Sequence, residues 1–127
     1  MEEIFNELHK EFNSETFDVN LNMPYKFWSF SEIKRGDCTI LAGGMLTLYV
    51  DGTINWRCDI RSSDSGDEWD GDFICYSAND VVLWQEHFHF DISSQNVTKR
   101  WDETRGANPS RANSFNEASK LSFNCNC

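Results

Sequence analysis

From Trp28 to Ile92 the chain alternates apolar and polar residues and breaks at turn-forming residues, the period expected of an antiparallel β-sheet. The clearest segment is Met45-Leu-Thr-Leu-Tyr-Val50, then Asp51-Gly52, then Thr53-Ile-Asn-Trp-Arg-Cys-Asp-Ile60. Two period-two runs joined by a dipeptide that tolerates positive φ at both central positions predict a tight hairpin. In its second run Ile54, Trp56, Cys58 and Ile60 share one face, while Thr53, Asn55, Arg57, Asp59 and Arg61 share the other. A slip of one residue would turn the whole apolar set outward, so the register is well specified.

Around this hairpin, Lys26 to Ile33 forms the first strong strand, Lys34-Arg35-Gly36-Asp37 a turn, Cys38 to Ala42 a further strand, and Gly43-Gly44 a break. Phe73 to Tyr76 and Val81 to Ile92 are strands separated by a turn at Ala78-Asn79-Asp80. On the long one, Trp84, Glu86, Phe88, Phe90 and Ile92 make the more apolar face and are expected to be buried. The polar stretch from Ser93 to Ser114, with Gly106 and Pro109, is expected to be a long loop around Trp101, and Phe115 to Phe123 a closing strand or helical turn. At the N-terminus Ile4, Phe5, Leu8 and Phe12 fall at helical spacing, with Glu2 and Glu3 suited to a first turn. The expected architecture is all-β: one domain over residues 1–127, a single antiparallel β-barrel or sandwich. It has a short N-terminal amphipathic helix over 1–14, a main sheet over 26–92, and a long loop and closing segment over 93–127.

Composition supports a packed core, since 14% of the 127 residues are aromatic, and no stretch approaches membrane-spanning length. The formal charge is -10 and unevenly placed: residues 1–98 carry six Lys or Arg against eighteen acids, and residues 99–127 carry five against three. An acidic body repels phosphate backbones, which disfavours nucleic acid and favours a basic protein surface, with solubility alone as the plainer role of that charge. Five cysteines cannot all pair within one chain. Cys38, Cys58 and Cys75 lie in expected strands and are taken as free and buried, with a single bridge among them as the alternative, and Cys125-Asn-Cys127 alone is a weak metal signal. The first ten residues have neither a basic n-region nor an apolar h-region, so a cytoplasmic location is expected for the chain as given, and secretion if a leader was removed.

The runs Arg35-Gly-Asp-Cys-Thr39, Asp51-Gly-Thr-Ile-Asn-Trp56 and Arg61-Ser-Ser-Asp64, with Trp69 shortly after, resemble the pattern of a family of small bacterial domains of unknown function. The resemblance spans roughly residues 28–92. It implies an all-β fold and, because such members are typically exported, an extracytoplasmic setting; it implies no activity.

Candidate chemistry centres on the acidic run Ser62 to Asp72, expected to be a loop, in which Asp64, Asp67, Glu68, Asp70 and Asp72 surround Trp69. Its spacing differs from the helix-loop-helix calcium pattern, so no metal is assigned. Trp69 either tucks onto the core or anchors a partner. Arg100 and Trp101 mark a second candidate binding loop. His87 and His89 share a strand face with Gln85 and Asp91, but zinc would need further ligands and His9 is the remaining histidine. Arg35-Gly36-Asp37 spells an adhesion tripeptide that also serves as an ordinary turn. Neither a nucleophile elbow, a phosphate loop nor a metalloprotease helix is encoded. The function expected is therefore non-enzymatic recognition through loops at one end of a sheet. Binding would run through Asp67, Glu68, Trp69, Asp70, Arg100 and Trp101 to a basic protein surface or a small ligand or glycan, without cofactor, nucleic acid or membrane. An acidic inhibitor or immunity protein covering the cationic site of a toxin or nuclease is the first alternative, and a small carboxylate-dependent hydrolase the second.

Overall fold

A computed structural model describes residues 23–127 and the backbone of Phe17–Asp18. The strands are β1 (Phe17–Asp18), β2 (Met23–Phe30), β3 (Ile33–Arg35), β4 (Cys38–Ile40), β5 (Gly44–Tyr49), β6 (Ile54–Ser62), β7 (Asp67–Tyr76), β8 (Val82–Ile92), β9 (Lys99–Arg105) and β10 (Lys120–Asn126), with a short helix α1 (Pro109–Asn113). A seven-stranded antiparallel sheet, ordered β1-β2-β5-β6-β4-β3 with β9 on the other edge of β6, curls into a nearly closed, barrel-like form. A three-stranded sheet, β10-β7-β8, covers it.

The alternation read along β6 is the axis of the core. Ile54, Trp56, Cys58 and Ile60 are buried, and Trp56 packs edge-on against Phe73 of β7 at 4.9 Å and tilted against Phe123 of β10 at 5.3 Å. These rings join the two sheets. Trp84, Phe88 and Ile92 of β8 are buried and Phe90 packs against the core, as the apolar face of that strand requires. Among the described residues no helix is long and apolar enough to cross a membrane.

The β5–β6 hairpin forms with Leu48 opposite Ile54 and Leu46 opposite Trp56. Its turn is one residue longer than a two-residue connection. Tyr49 N donates to Thr53 O and Gly52 N to Tyr49 O, both bonds are 2.8–2.9 Å long, and positive φ is confined to Gly52 (+88°). A Cβ on Gly52 would collide with the Asn108 carbonyl oxygen, because α1 docks on the turn. Asn108 caps α1 by accepting from Arg111 N at 3.0 Å, and Pro109 starts the helix where a missing N–H costs nothing. The Arg111 guanidinium is buried and fully engaged: Nε donates to Gly52 O (2.6 Å), Nη2 to Gly106 O (2.9 Å) and Nη1 to Glu86 of β8 (2.8 Å).

Several sequence expectations need correction. The segment around Trp101 is the strand β9, paired with β6 from Lys99↔Ile60 to Arg105↔Ile54. Only Trp101 of its seven residues is buried, so its hydrophobic alternation is invisible. The acidic run is mostly β7 rather than loop, since pairing with β8 begins at Asp67↔Ile92. Lys34 and Arg35 belong to β3, leaving Gly36-Asp37 as the turn. Cys38 is not free. It is bridged to Cys127, across 89 residues of sequence and a Cα–Cα distance of 6.0 Å, which ties the residue just after β10 to the first residue of β4. Cys58 and Cys125 are free and buried, and Cys75 is buried and takes no part in a disulfide. The helix expected over residues 1–14 lies outside the described residues.

Candidate functional site

The outer face of the three-stranded sheet follows from the strand period. Trp69, Gly71 and Phe73 of β7 point inward, so Glu68, Asp70 and Asp72 point to solvent. Gly71 is needed at its inward position, since a Cβ there would strike the Phe123 ring, which stacks on Phe73 at 4.3 Å. Across the ladder Glu68 faces Asp91, Asp70 faces His89 and Asp72 faces His87. On the other side Asn126 faces Asp70 and Asn124 faces Asp72.

The polar contacts form a chain. His87 Nδ1 lies 2.8 Å from Asp72 Oδ1, and Asp70 Oδ1 sits 3.2 Å from His87 Nε2 and 2.9 Å from His89 Nδ1. His89 Nε2 is 2.7 Å from Asp91 Oδ1 and 4.0 Å from Glu68 Oε1. With a carboxylate at each ring nitrogen, His89 donates at both only as imidazolium. The hydrogen bond to Asp70, followed by that to Asp91, raises its pKa above the ordinary 6.5. Four carboxylates share this face with two imidazoles, so it is anionic whenever the histidines are neutral. Beside it a cleft of about 270 Å³ is lined by Asp70, Asp72, His87, Asn124, Cys125 and Asn126.

As for metals, Glu68, His89 and Asp91 offer three donor atoms within 4.8 Å of one another, as do Asp37, Asp64 and Asp67. The acids of the run 62–72 do not converge on one centre. Strand alternation sends Asp67 away from Glu68 and Asp70, and its Oδ2 instead accepts from Ser62 Oγ at 2.5 Å. It also lies 3.8 Å from Cys38 Sγ, a packing contact, because a bridged sulfur has no proton to donate.

The residues singled out in the sequence are thus divided. Glu68 and Asp70 belong to the outer face. Trp69 is completely buried and Trp101 nearly so, stacked on Phe90 at 5.2 Å; both rings are core, which corrects their assignment as surface anchors. Arg100 is exposed on the other sheet, where Nε and Nη2 grip Asp59 at 2.6 and 3.5 Å. Asn124 and Asn126 were not foreseen, because a β10–β7 register linking residues about fifty apart leaves no local mark in sequence.

Comparison with known proteins gives a family and little else. No curated protein matches the chain. A solved structure, the enzymatically active domain of bacteriophage CBA120 tailspike protein 4, aligns over 80% of this chain and 16% of its own at 9% identity with a TM-score of 0.28, too low to carry any inference. Residues 45–127 match a family of unknown function, DUF6294, a span that includes the hairpin, both faces of β7 and β8 and the closing strand, and the chain belongs to that family.

Proposed function

We propose that the domain is a non-enzymatic recognition module that takes a cationic group of a protein partner on the outer face of β7, β8 and β10. The observation that carries this reading is the alignment of Glu68, Asp70, Asp72 and Asp91 on one exposed face, next to a cleft, with His87 and His89 as the local counter-charges among the described residues. Cross-strand neighbours at fixed pleat spacing hold the carboxylates in place without a mobile loop, which lowers the ordering cost of binding. Electrostatic complementarity of this kind acts chiefly on association rate and partner choice.

An inhibitor that covers the cationic site of a toxin or nuclease is a special case of the same chemistry, favoured by the excess of acids in residues 1–98. The hydrolase reading gains nothing from Glu86, the half-buried carboxylate of β8, since Arg105 and Arg111 hold its two oxygens at 2.9 and 2.8 Å. The Cys38–Cys127 bridge supports work in an oxidising compartment. The test is capture from a host lysate with wild-type protein and with an Asp70→Asn/Asp72→Asn variant as bait, across a salt series. A partner retained at low salt by the wild type and lost with the variant supports the proposal; equal retention by both removes it.

A further inference from the structure

Among the described residues Tyr49, at the end of β5, is the one buried apolar or aromatic side chain that lies outside the core cluster. The register explains why. Leu46 and Leu48 of β5 face inward with Trp28, Trp56 and Ile54, so Met45, Thr47 and Tyr49 turn to the outer face of the seven-stranded sheet. On β2 the same face carries Tyr25, directly opposite Tyr49, and Phe27, directly opposite Thr47. The Tyr25 ring lies 6.0 Å from Tyr49 and 6.2 Å from Phe27. A tyrosine on a solvent-facing pleat keeps much of its ring in water, yet Tyr49 is 6% exposed and Thr47 7%. Further across the sheet the outward rows are polar, with Asn55, Arg57 and Asp59 on β6 and Arg100, Asp102 and Thr104 on β9.

The aromatic face of β2 and β5 is therefore covered. Strands of its own sheet lie side by side and cannot cover it. The three-stranded sheet packs on the inner side, where Phe73 and Phe123 meet Trp56. The segment after α1 also reaches β2 from within, since the inward-facing Lys26 donates from Nζ to the Asn116 and Ala118 carbonyls at 3.3 and 2.7 Å.

The chain that precedes β1 starts beside the outer face. β1 pairs with β2 at Phe17↔Pro24, next to Tyr25. Residues 14–16 span at most about 10 Å, which keeps residues 2–13 near this edge of the sheet. In that stretch Ile4, Phe5, Leu8 and Phe12 fall at helical spacing. Over residues 2–13 a helix would be about 18 Å long, enough to cross from β1 to β6 at about 4.8 Å per strand. An apolar stripe needs an apolar surface to bury it, and the rings of β2 and β5 offer one within this reach.

We propose that residues 2–13 dock on the outer face of β2 and β5, with Ile4, Phe5, Leu8 and Phe12 against Tyr25, Phe27 and Tyr49. The docking seals an aromatic surface that the β2–β5 pairing would otherwise leave to solvent or to a second copy of the chain.

Nuclear Overhauser contacts in the full chain, with isoleucine and leucine methyl groups labelled, test it directly. The Ile4 and Leu8 methyls are expected to contact the rings of Tyr25, Phe27 and Tyr49, and to do so within one chain when labelled and unlabelled protein are mixed. Leu8→Ser identifies its methyl signals by removing them. The same variant is expected to speed modification of Tyr49 by N-acetylimidazole about tenfold, while Tyr76 of β7 reacts at an unchanged rate. Absent contacts, contacts with another face, contacts that pass only between two copies, or unchanged Tyr49 reactivity in Leu8→Ser would each overturn the proposal.

Discussion

Asp70 and His89 stand directly opposite each other on β7 and β8, with Asp70 Oδ1 2.9 Å from His89 Nδ1, and the same oxygen reaches His87 Nε2 at 3.2 Å. One carboxylate therefore organises both histidines of the outer face. The pairing is a consequence of register, since each of these residues is fixed by the inward-facing aromatic beside it on its own strand.

His89 should titrate above its ordinary value of 6.5, because Asp70 and then Asp91 favour the imidazolium. A raised folded pKa contributes stability that is fully present below the unfolded value and is lost as pH rises through the folded one. The His89 imidazole C–H signal in a pH titration is expected to show a midpoint above 6.5 that falls in Asp70→Asn. An Asp70→Asn variant with the same midpoint would show that Asp70 is not the cause.

Gly52→Val should be severely destabilising, by about 2–4 kcal/mol, because it forces a branched residue to positive φ and drives its Cβ into the Asn108 carbonyl. Asn108→Ala, which removes only the cap, should cost about 1 kcal/mol. Urea unfolding midpoints of the two variants measure the difference, and a mild Gly52→Val would mean that α1 can leave the turn at little cost.

Much of the fold was legible because β6 and β8 are half-buried strands with strict alternation: Trp56 and Phe88 announce their faces by their neighbours. β9 was not, since a strand with Trp101 as its single buried residue has no period to detect. Trp69 shows the opposite error. Its acidic neighbours imitate a loop, but they are the solvent face of a strand whose other face is core. At the site, Asp70 and Glu68 could be named from sequence, whereas their partners on β10 depend on a pairing between distant segments.

Denatured but unreduced protein should yield three reactive thiols, Cys58, Cys75 and Cys125, and five after reduction. In the native state Cys58 and Cys125 should react slowly, since burial raises both pKa values, that of Cys125 to about 11. A bridge closing a loop of this length contributes about 4–5 kcal/mol by chain entropy, so Cys127→Ser should lower the unfolding midpoint substantially. Five thiols before reduction would mean that the bridge is absent.

On the proposed function, the face of β7 and β8, and not net charge alone, receives a cation. The decisive measurement is the affinity of a lysine-rich probe peptide, at low salt and a pH where the histidines are neutral, for three proteins. These are the wild type, Asp70→Asn/Asp72→Asn, and a control, Asp64→Asn/Glu117→Gln, that removes the same charge from exposed positions elsewhere. The face variant is expected to bind about tenfold more weakly, with a flatter salt dependence, and the control within about twofold of wild type. Equal losses in the two variants would overturn the proposed function, because the probe would then be sensing total charge and no particular face.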